Sequence, residues 1–462
     1  MWQLWIKYIA IMAFMVGGDI LKPAKNPMIP GNPFMVFWNA PTEPCWRRYK
    51  VDLELATFGI VPNPNETLSG SVVTIFYHNR MGLYPYVEHG SIFHGGIPQS
   101  QDLDQHLAKV ESDIDKAIPK KMFNGLGVID WENWRPLWVR NWGDKTVYRN
   151  LSMDLVRGRN PTWDDKKIMA TATAEFESAG RNFMDRTLFH LKKIRPYGLW
   201  GFYLFPDCYN HDYKAKPTTY TGNCPTVDVG RNDLLHWLWK QSSALFPSIY
   251  LLDALKSSPH AVKFVRHRVM EAMRVAKQSG GDYDTPVYVY SMPVYVHTND
   301  TMTEGDLVNT IGETASLGAA GIILWGSSIF GRSRDVCVLL SNYIGGLFGH
   351  YLVNVTTATK ICSEHICSNH GKCLRKNSTS SAYLHLPSQS FSIQVKVSHL
   401  GKKVSVKGKL SDQEMEQWRE DFMCQCFPAN LLKCVWDMDN DSFCSPIFRM
   451  SNSFKDRIKN TF

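Results

Sequence analysis

The chain has 462 residues, 44% hydrophobic and 20% charged, enough apolar material for a large core, which excludes a wholly disordered or collagen-like chain. Lys and Arg number 51 against 43 Asp and Glu, and the resulting charge of +8 favours an acidic partner without naming one. Aromatic residues reach 12%, a load that suits a carbohydrate-binding cleft or an ordinary aromatic core. The 11 cysteines are odd in number, so full oxidation leaves one thiol without a partner in its own chain.

The first residues, MWQLWIKYIAIMAFMVGG, place one Lys before an apolar run from Tyr8 to Val16 and then small residues, the pattern of a secretory signal over residues 1–18. The run is short for a membrane span, an uncleaved anchor being the alternative. No other long apolar stretch is read from the sequence, so no stable membrane span is expected. The ending SNSFKDRIKNTF is polar and basic and lacks the hydrophobic tail of a glycolipid-anchor signal. Glycosylation sequons stand at Asn65, Asn150, Asn299, Asn354 and Asn377, while Asn160 is followed by Pro. Leader, sequons and cysteines together predict secretion.

From residue 34 to 326 short β-branched or aromatic runs alternate with longer stretches of helical period. The predicted strands are FMVFW, TIFY, GLGVID, LWGFYLF, SIYL, VYVYS and GIILWG. Between them lie predicted helices from Gln101 to Ile118 after Ser100, from Ala172 to Ile194 and from His260 to Gln278. This alternation predicts an α/β fold with a parallel sheet. The size, and the absence of a GxGxxG after the first strand, favour a (β/α) TIM-like barrel over residues 19–357 rather than a doubly wound sheet. Lys263, Arg266, His267, Arg268 and Arg274 make the third helix basic. The solvated face of an outer helix is the expected reading, and a polyanion site the sharper one.

After residue 358 the texture changes, and seven of the 11 cysteines fall in the last quarter. Their spacing, C-x4-C-x5-C from Cys362 and C-x-C-x7-C from Cys424, is that of an epidermal-growth-factor-like module, expected over 358–445 before a polar tail, 446–462. The alternating segments FSIQVKVS and KKVSVKG interrupt it. His365 and His370 raise a zinc site, but paired CxxC spacing is absent and no metal is expected.

The segment GLGVIDWENWRPLW, residues 125–138, carries the chemistry. Residues two apart in extended chain face the same side, about 6.6 Å apart, so Asp130 and Glu132 aim two carboxylates at one place. At the C-terminal end of a barrel strand that place is the catalytic mouth. Two such charges do not both ionise freely, so one keeps its proton near neutral pH and can act as a general acid. The bland alternative is an acidic loop solvated beside Arg135. Other strand ends bring Tyr77, Tyr203, Tyr250, Tyr290 and Trp325, which offer sugar rings an apolar plate and a polar handle.

These residues carry a resemblance. The segments IFYHNRMGLYPY, HGGIPQ, VIDWENWRPLW, GLWGFYLFPDCYNHDY, RNDLLHWLW, ALFPSIYL, IGETASLGAAGIILWG and YLVNVT, with the cysteine-rich tail, resemble in that order the animal hyaluronidases of bee venom, sperm and lysosomes, with the sperm-type and hyaluronidase-4-like members nearest. The resemblance implies a distorted barrel, an epidermal-growth-factor-like module and an endo-acting hydrolase, a monomer that needs no cofactor. It cuts the β-1,4 bond between N-acetylglucosamine and glucuronate in hyaluronan with retention, the substrate's own acetamide serving as nucleophile. Glu132 matches the family's proton donor and Asp130 the group that positions the acetamide. Tyr203, Tyr250 and Trp325 match residues lining the reacting sugar's pocket, with Tyr77 and Tyr290 around it and Arg135 alongside.

The resemblance further implies disulfides Cys45 with Cys337, Cys208 with Cys224, Cys362 with Cys373, Cys367 with Cys424, and Cys426 with Cys434, which leaves Cys444 over. It leaves secreted, sperm or acrosomal, and lysosomal locations open. Two departures bear on substrate: Met292 stands where some relatives carry Arg, and His78 and Asn79 follow Tyr77. Chondroitin is therefore an alternative substrate, and a non-catalytic hyaluronan-binding or cell-recognition protein is the alternative class.

Overall fold

The computed structural model describes residues 21–298, 300–398, 401–428, 432–436 and 442–446, the side chains of 397, 398 and the last two segments excepted. The leader, Asn299 and most of the polar tail lie outside them. Along the chain run β1 (Met35–Asn39), β2 (Ile60–Pro62), β3 (Val73–Tyr77), α1 (Leu103–Ala117), β4 (Leu126–Asp130), α2 (Thr146–Arg159) and α3 (Asp165–Ile194). Then follow β5 (Leu199–Phe202), α4 (Pro259–Gln278), β6 (Tyr288–Ser291), β7 (Gly321–Trp325), α5 (Arg334–Tyr343) and α6 (Gly349–His365).

All seven strands pair in parallel, in the orders β2-β1-β7-β6 and β3-β4-β5. Bridges from Tyr203 to Phe246, Leu245 to Val287 and Ser248 to Tyr290 insert the segment 245–248 between β5 and β6. Hydrogen bonding thus passes from β3 round to β1, and β1 lies beside β3 without a ladder among the described residues. The alternation of the strands explains the shape. Phe37, Val73, Ile75, Val128 and Ile323 meet in one inner cluster, while Val36, Trp38, Phe76, Ile129, Ile322 and Leu324 face outward under the helices. In β4, Gly127 is required because the Trp200 ring lies against it; a Cβ there would meet the ring at 2.2 Å.

The expected SIYL strand is not formed. Pro247 removes a ladder donor, and the segment keeps isolated bridges instead. The first helix is capped by Asp102, whose side chain accepts from the Gln105 N–H, and not by Ser100. The second predicted helix starts earlier, at Asp165, because Asp164 caps it. The basic face of α4 is not a solvated one. Arg268 is buried and donates to the Ser248 carbonyl at 2.7 Å, Arg266 pairs with Glu313 at 2.7 Å, and Arg274 pairs with Glu271 at 2.7 Å. These side chains tie layers together and neutralise acids the sequence pattern left unassigned.

The tail adds β8 (Gly371–Arg375), β9 (Phe391–Ser398), β10 (Gly401–Gly408), α7 (Asp412–Asp421) and β11 (Phe422–Cys426). Antiparallel β8 and β11 are flanked by disulfides Cys362–Cys373 and Cys367–Cys424, while Cys45–Cys337 and Cys208–Cys224 lie in the larger unit. Cys426 is also disulfide-bonded; the side chains of Cys434 and Cys444 lie outside the described ones. The β9–β10 hairpin lays Ile393, Val395, Val404 and Val406 on the main core. Among the described residues one helical stretch, Arg334–His365, is long and apolar enough to cross a membrane, and half of its most apolar 18-residue segment is buried. That corrects the reading that no further long apolar stretch exists. Its apolar residues serve in part as core: Leu352 and Val355 are fully enclosed.

Candidate active site

The C-terminal ends of the parallel strands converge at one mouth. Tyr77 ends β3 directly beside Asp130 at the end of β4, and Tyr203 follows β5, its N–H donating to the Ile129 carbonyl at 2.9 Å. Across the interior Trp325 ends β7 beside Asn39. Tyr203 and Tyr250 lie 6.3 Å apart between ring centres, and Tyr250 and Trp325 stack at 6.0 Å with 24° between planes. Trp325 Nε1 donates to the Tyr77 hydroxyl at 3.1 Å. Of these half-buried rings, Tyr77, Tyr203 and Tyr250 lie close enough to Asp130 to feel its charge. Tyr290 is fully buried beneath them, edge-on to Tyr203 at 5.1 Å, with its hydroxyl on Asn39 Oδ1 at 3.2 Å. It supports the pocket from below and does not line its wall.

The two carboxylates differ sharply in surroundings. Asp130 Oδ1 is buried and has no hydrogen-bond partner. Burial first, and the nearby Glu132 charge second, push its pKa from 3.8 to about 7, against a smaller opposing pull from Arg135. Glu132 is exposed, with half its side-chain surface open to solvent. Its backbone carbonyl is gripped by Arg135 at 2.9 Å and Lys145 at 2.5 Å, and Arg135 also reaches its carboxylate at 3.4 Å. In the free protein burial and the Glu132 charge therefore favour the protonated form of the Asp130 carboxyl. Burial and neighbouring negative charge also raise Tyr77, Tyr203, Tyr250 and Tyr290 above the ordinary phenol, so all four stay neutral donors.

Every residue singled out from the sequence for this site is thus at or directly under one mouth. Asn39, Ser248 and Lys145 were missed. Asn39 and Ser248 act through hydroxyls of other strands, at 3.2 Å and 3.4 Å, and Lys145 reaches Glu132 from thirteen residues away. Linear spacing carries no trace of such contacts. Among the described residues no group of three His, Cys, Asp or Glu side chains could hold a metal, His365 and His370 included.

Residues 23–436 match the family model described as hyaluronidase, glycoside hydrolase family 56. The chain belongs to the hyaluronidase family. It is 51% identical over 430 residues to a hyaluronidase of Echis ocellatus and to hyaluronidase-1 of Bitis arietans, covering 92% of this chain and 96% of each relative. Among solved structures it resembles bee venom hyaluronidase, at 32% identity and a TM-score of 0.62 over 69% of this chain and 99% of that one. The same bee venom enzyme in complex with a hyaluronic acid tetramer is matched with a TM-score of 0.63. Family membership makes the chain a glycosidase, and its α/β fold is that of the bee venom enzyme.

Proposed function

We propose that the protein is a secreted, monomeric endo-β-N-acetylhexosaminidase that hydrolyses the β-1,4 bond between N-acetylglucosamine and glucuronate in hyaluronan, with retention and with the substrate acetamide as nucleophile. The observation that carries this reading is the partnerless Oδ1 of Asp130 inside a ring of tyrosines. A buried carboxylate oxygen without a donor is costly, and an acetamide N–H supplies the missing donor. The acetamide N–H stabilises the ionised form of Asp130, so the proton this carboxyl holds in the free protein passes to Glu132, which, exposed at the mouth, protonates the leaving oxygen as its bond to the anomeric carbon breaks and the acetamide oxygen attacks that carbon to form an oxazolinium ion. Asp130, ionised against the acetamide N–H, and the Tyr250 hydroxyl hold that intermediate. Glu132 then takes a proton from water as it opens the ring. Such a mechanism gains most from orientation, which explains why fixed aromatic groups outnumber reactive ones.

The bee venom enzyme's complex with a hyaluronic acid tetramer supports hyaluronan as the substrate. Chondroitin is the second substrate to compare, since it differs at one hexosamine hydroxyl and Met292, 9% exposed near β6, replaces the Arg of some relatives. The ring of strands around one inner cluster fits a distorted barrel over 19–357, and the paired cysteines after 358 fit an epidermal-growth-factor-like module. The decisive experiment is Glu132→Gln in secreted protein, assayed on hyaluronan gels at acidic and neutral pH. Clearing is expected to fall at least 1,000-fold with secretion unchanged. Full clearing by the variant would remove Glu132 from the chemistry, and no clearing by the wild type with retained hyaluronan binding would favour the non-catalytic binder.

A further inference from the structure

The mouth does not end at Glu132. Beyond it opens a groove of about 420 Å³ whose walls include Arg135, Trp142, Lys145 and Tyr209. None of Asp130, Tyr77, Tyr203, Tyr250 or Trp325 lines it, so it is distinct from the acetamide pocket, and Arg135 and Lys145, which both bond the Glu132 carbonyl, make it adjoin Glu132. Four cations line this groove together with Asp144 and Asp207, and three of the cations are held in ion pairs. Arg140 pairs with Asp207 and with Asp228, the latter at 3.2 Å; Arg268 pairs with Asp207 at 3.8 Å; and Arg135 pairs with Glu132 at 3.4 Å. Lys145 has no carboxylate within ion-pair distance among the described residues, and its ammonium bonds only to the carbonyls of Glu132 and Asn133, at 2.5 and 3.3 Å. Trp142 and Tyr209, which stand edge to face at 6.0 Å, are 53% and 48% exposed. Two large aromatics left open beside a cation that is in no ion pair are an unusual surface to present to water alone.

The chemistry of the bond says what belongs there. If cleavage falls between N-acetylglucosamine and glucuronate, the sugar leaving from Glu132 is always a glucuronate, and its carboxylate is only three bonds from the oxygen being protonated. We infer that Lys145 binds the carboxylate of the departing glucuronate, and that Trp142 and Tyr209 form the stacking surface for the sugar beyond it. The inference rests on the reading of the protein as a hyaluronan hydrolase. It gives the leaving-group side a charge requirement that the acetamide pocket does not impose. Burial and the Arg135 charge bring the Lys145 ammonium down to about 8 against the smaller pull of Glu132 and Asp144, and an incoming carboxylate would act in the same direction as those two.

The test compares hyaluronan with carboxyl-reduced hyaluronan, in which glucose replaces glucuronate, on wild type, Lys145→Met and Lys145→Arg. The wild type is expected to lose at least tenfold in kcat/KM when the carboxylates are removed. Lys145→Met is expected to be at least tenfold slower than wild type on hyaluronan yet nearly indifferent between the two polymers, while Lys145→Arg keeps the preference. If Lys145 merely positions the Glu132 carbonyl, the Met variant slows equally on both polymers and keeps the wild-type preference, which overturns the inference. A wild type that cleaves neither polymer overturns the hydrolase reading, and this inference with it. For the stacking surface, Trp142→Ala is expected to raise KM for long oligosaccharides several-fold; an unchanged KM removes Trp142 from the site.

Discussion

Asp130 is where function opposes stability. Its carboxyl has an ordinary pKa of 3.8 and is pushed to about 7 in the fold, so between those values the native protein holds more protons than the unfolded chain. Stability then falls as pH rises from about 4 to about 7, and beyond pH 7 the loss is complete. Asn in its place keeps the shape and carries no charge. Asp130→Asn is therefore expected to match wild type in urea stability near pH 3.5 and to exceed it by on the order of 4 kcal/mol at pH 7.5. A difference independent of pH would show that desolvated charge is not the cause. The pairing of Asp130 with Glu132 was legible in the sequence, because a strand end followed by D-x-E places both on one side. Which carboxyl is buried was not, since that depends on Tyr77, Tyr250 and Trp325 arriving from other strands.

At the level of elements, strands bounded by turns and buried on both faces were readable from their apolar runs, while α4 was misread because its ion partners lie on other elements. Arg266 of α4 and Arg375 of β8 converge on Glu313, and both Glu313 and Arg375 are wholly buried. This triad clamps the tail to the larger unit. Glu313→Ala leaves Arg375 buried without its carboxylate and is expected to cost about 3–5 kcal/mol. Arg266→Ala leaves the Glu313–Arg375 pair standing and is expected to cost about 1–2 kcal/mol. Denaturant midpoints of the two variants check the order, and an equal loss would mean that the buried pair is not the stronger contact. Sequons obey the same logic of placement. Asn65, Asn150 and Asn377 are exposed, whereas Asn354 is half-buried within α6, and its side-chain oxygen accepts from the Leu386 N–H at 2.9 Å. Peptide mapping after enzymatic deglycosylation in heavy-oxygen water is expected to label the first three and leave Asn354 unlabelled; labelled Asn354 would require α6 to pack differently from the structure.

At the scale of the whole molecule, the chain closes on itself. The Ala24 N–H donates to the Cys426 carbonyl at 2.8 Å, and Gln425 Nε2 bridges the Lys22 carbonyl and Asp284, each at 2.8 Å. The start of the described chain, a loop of the α/β unit and strand β11 of the tail thus share one junction. Cys45–Cys337 adds a covalent closure across 292 residues, whereas Cys208–Cys224 closes only 16. Chain entropy in the unfolded state assigns about 3 kcal/mol to the short loop and more than about 5 kcal/mol to the long one. Cys45→Ala with Cys337→Ala is therefore expected to lower the urea midpoint more than Cys208→Ala with Cys224→Ala. Cys45, Cys337 and Cys208 are fully or almost fully buried, and Cys224 is partly exposed. An equal or reversed order would place the value of these bridges in native packing around each sulfur rather than in the restriction of the unfolded chain.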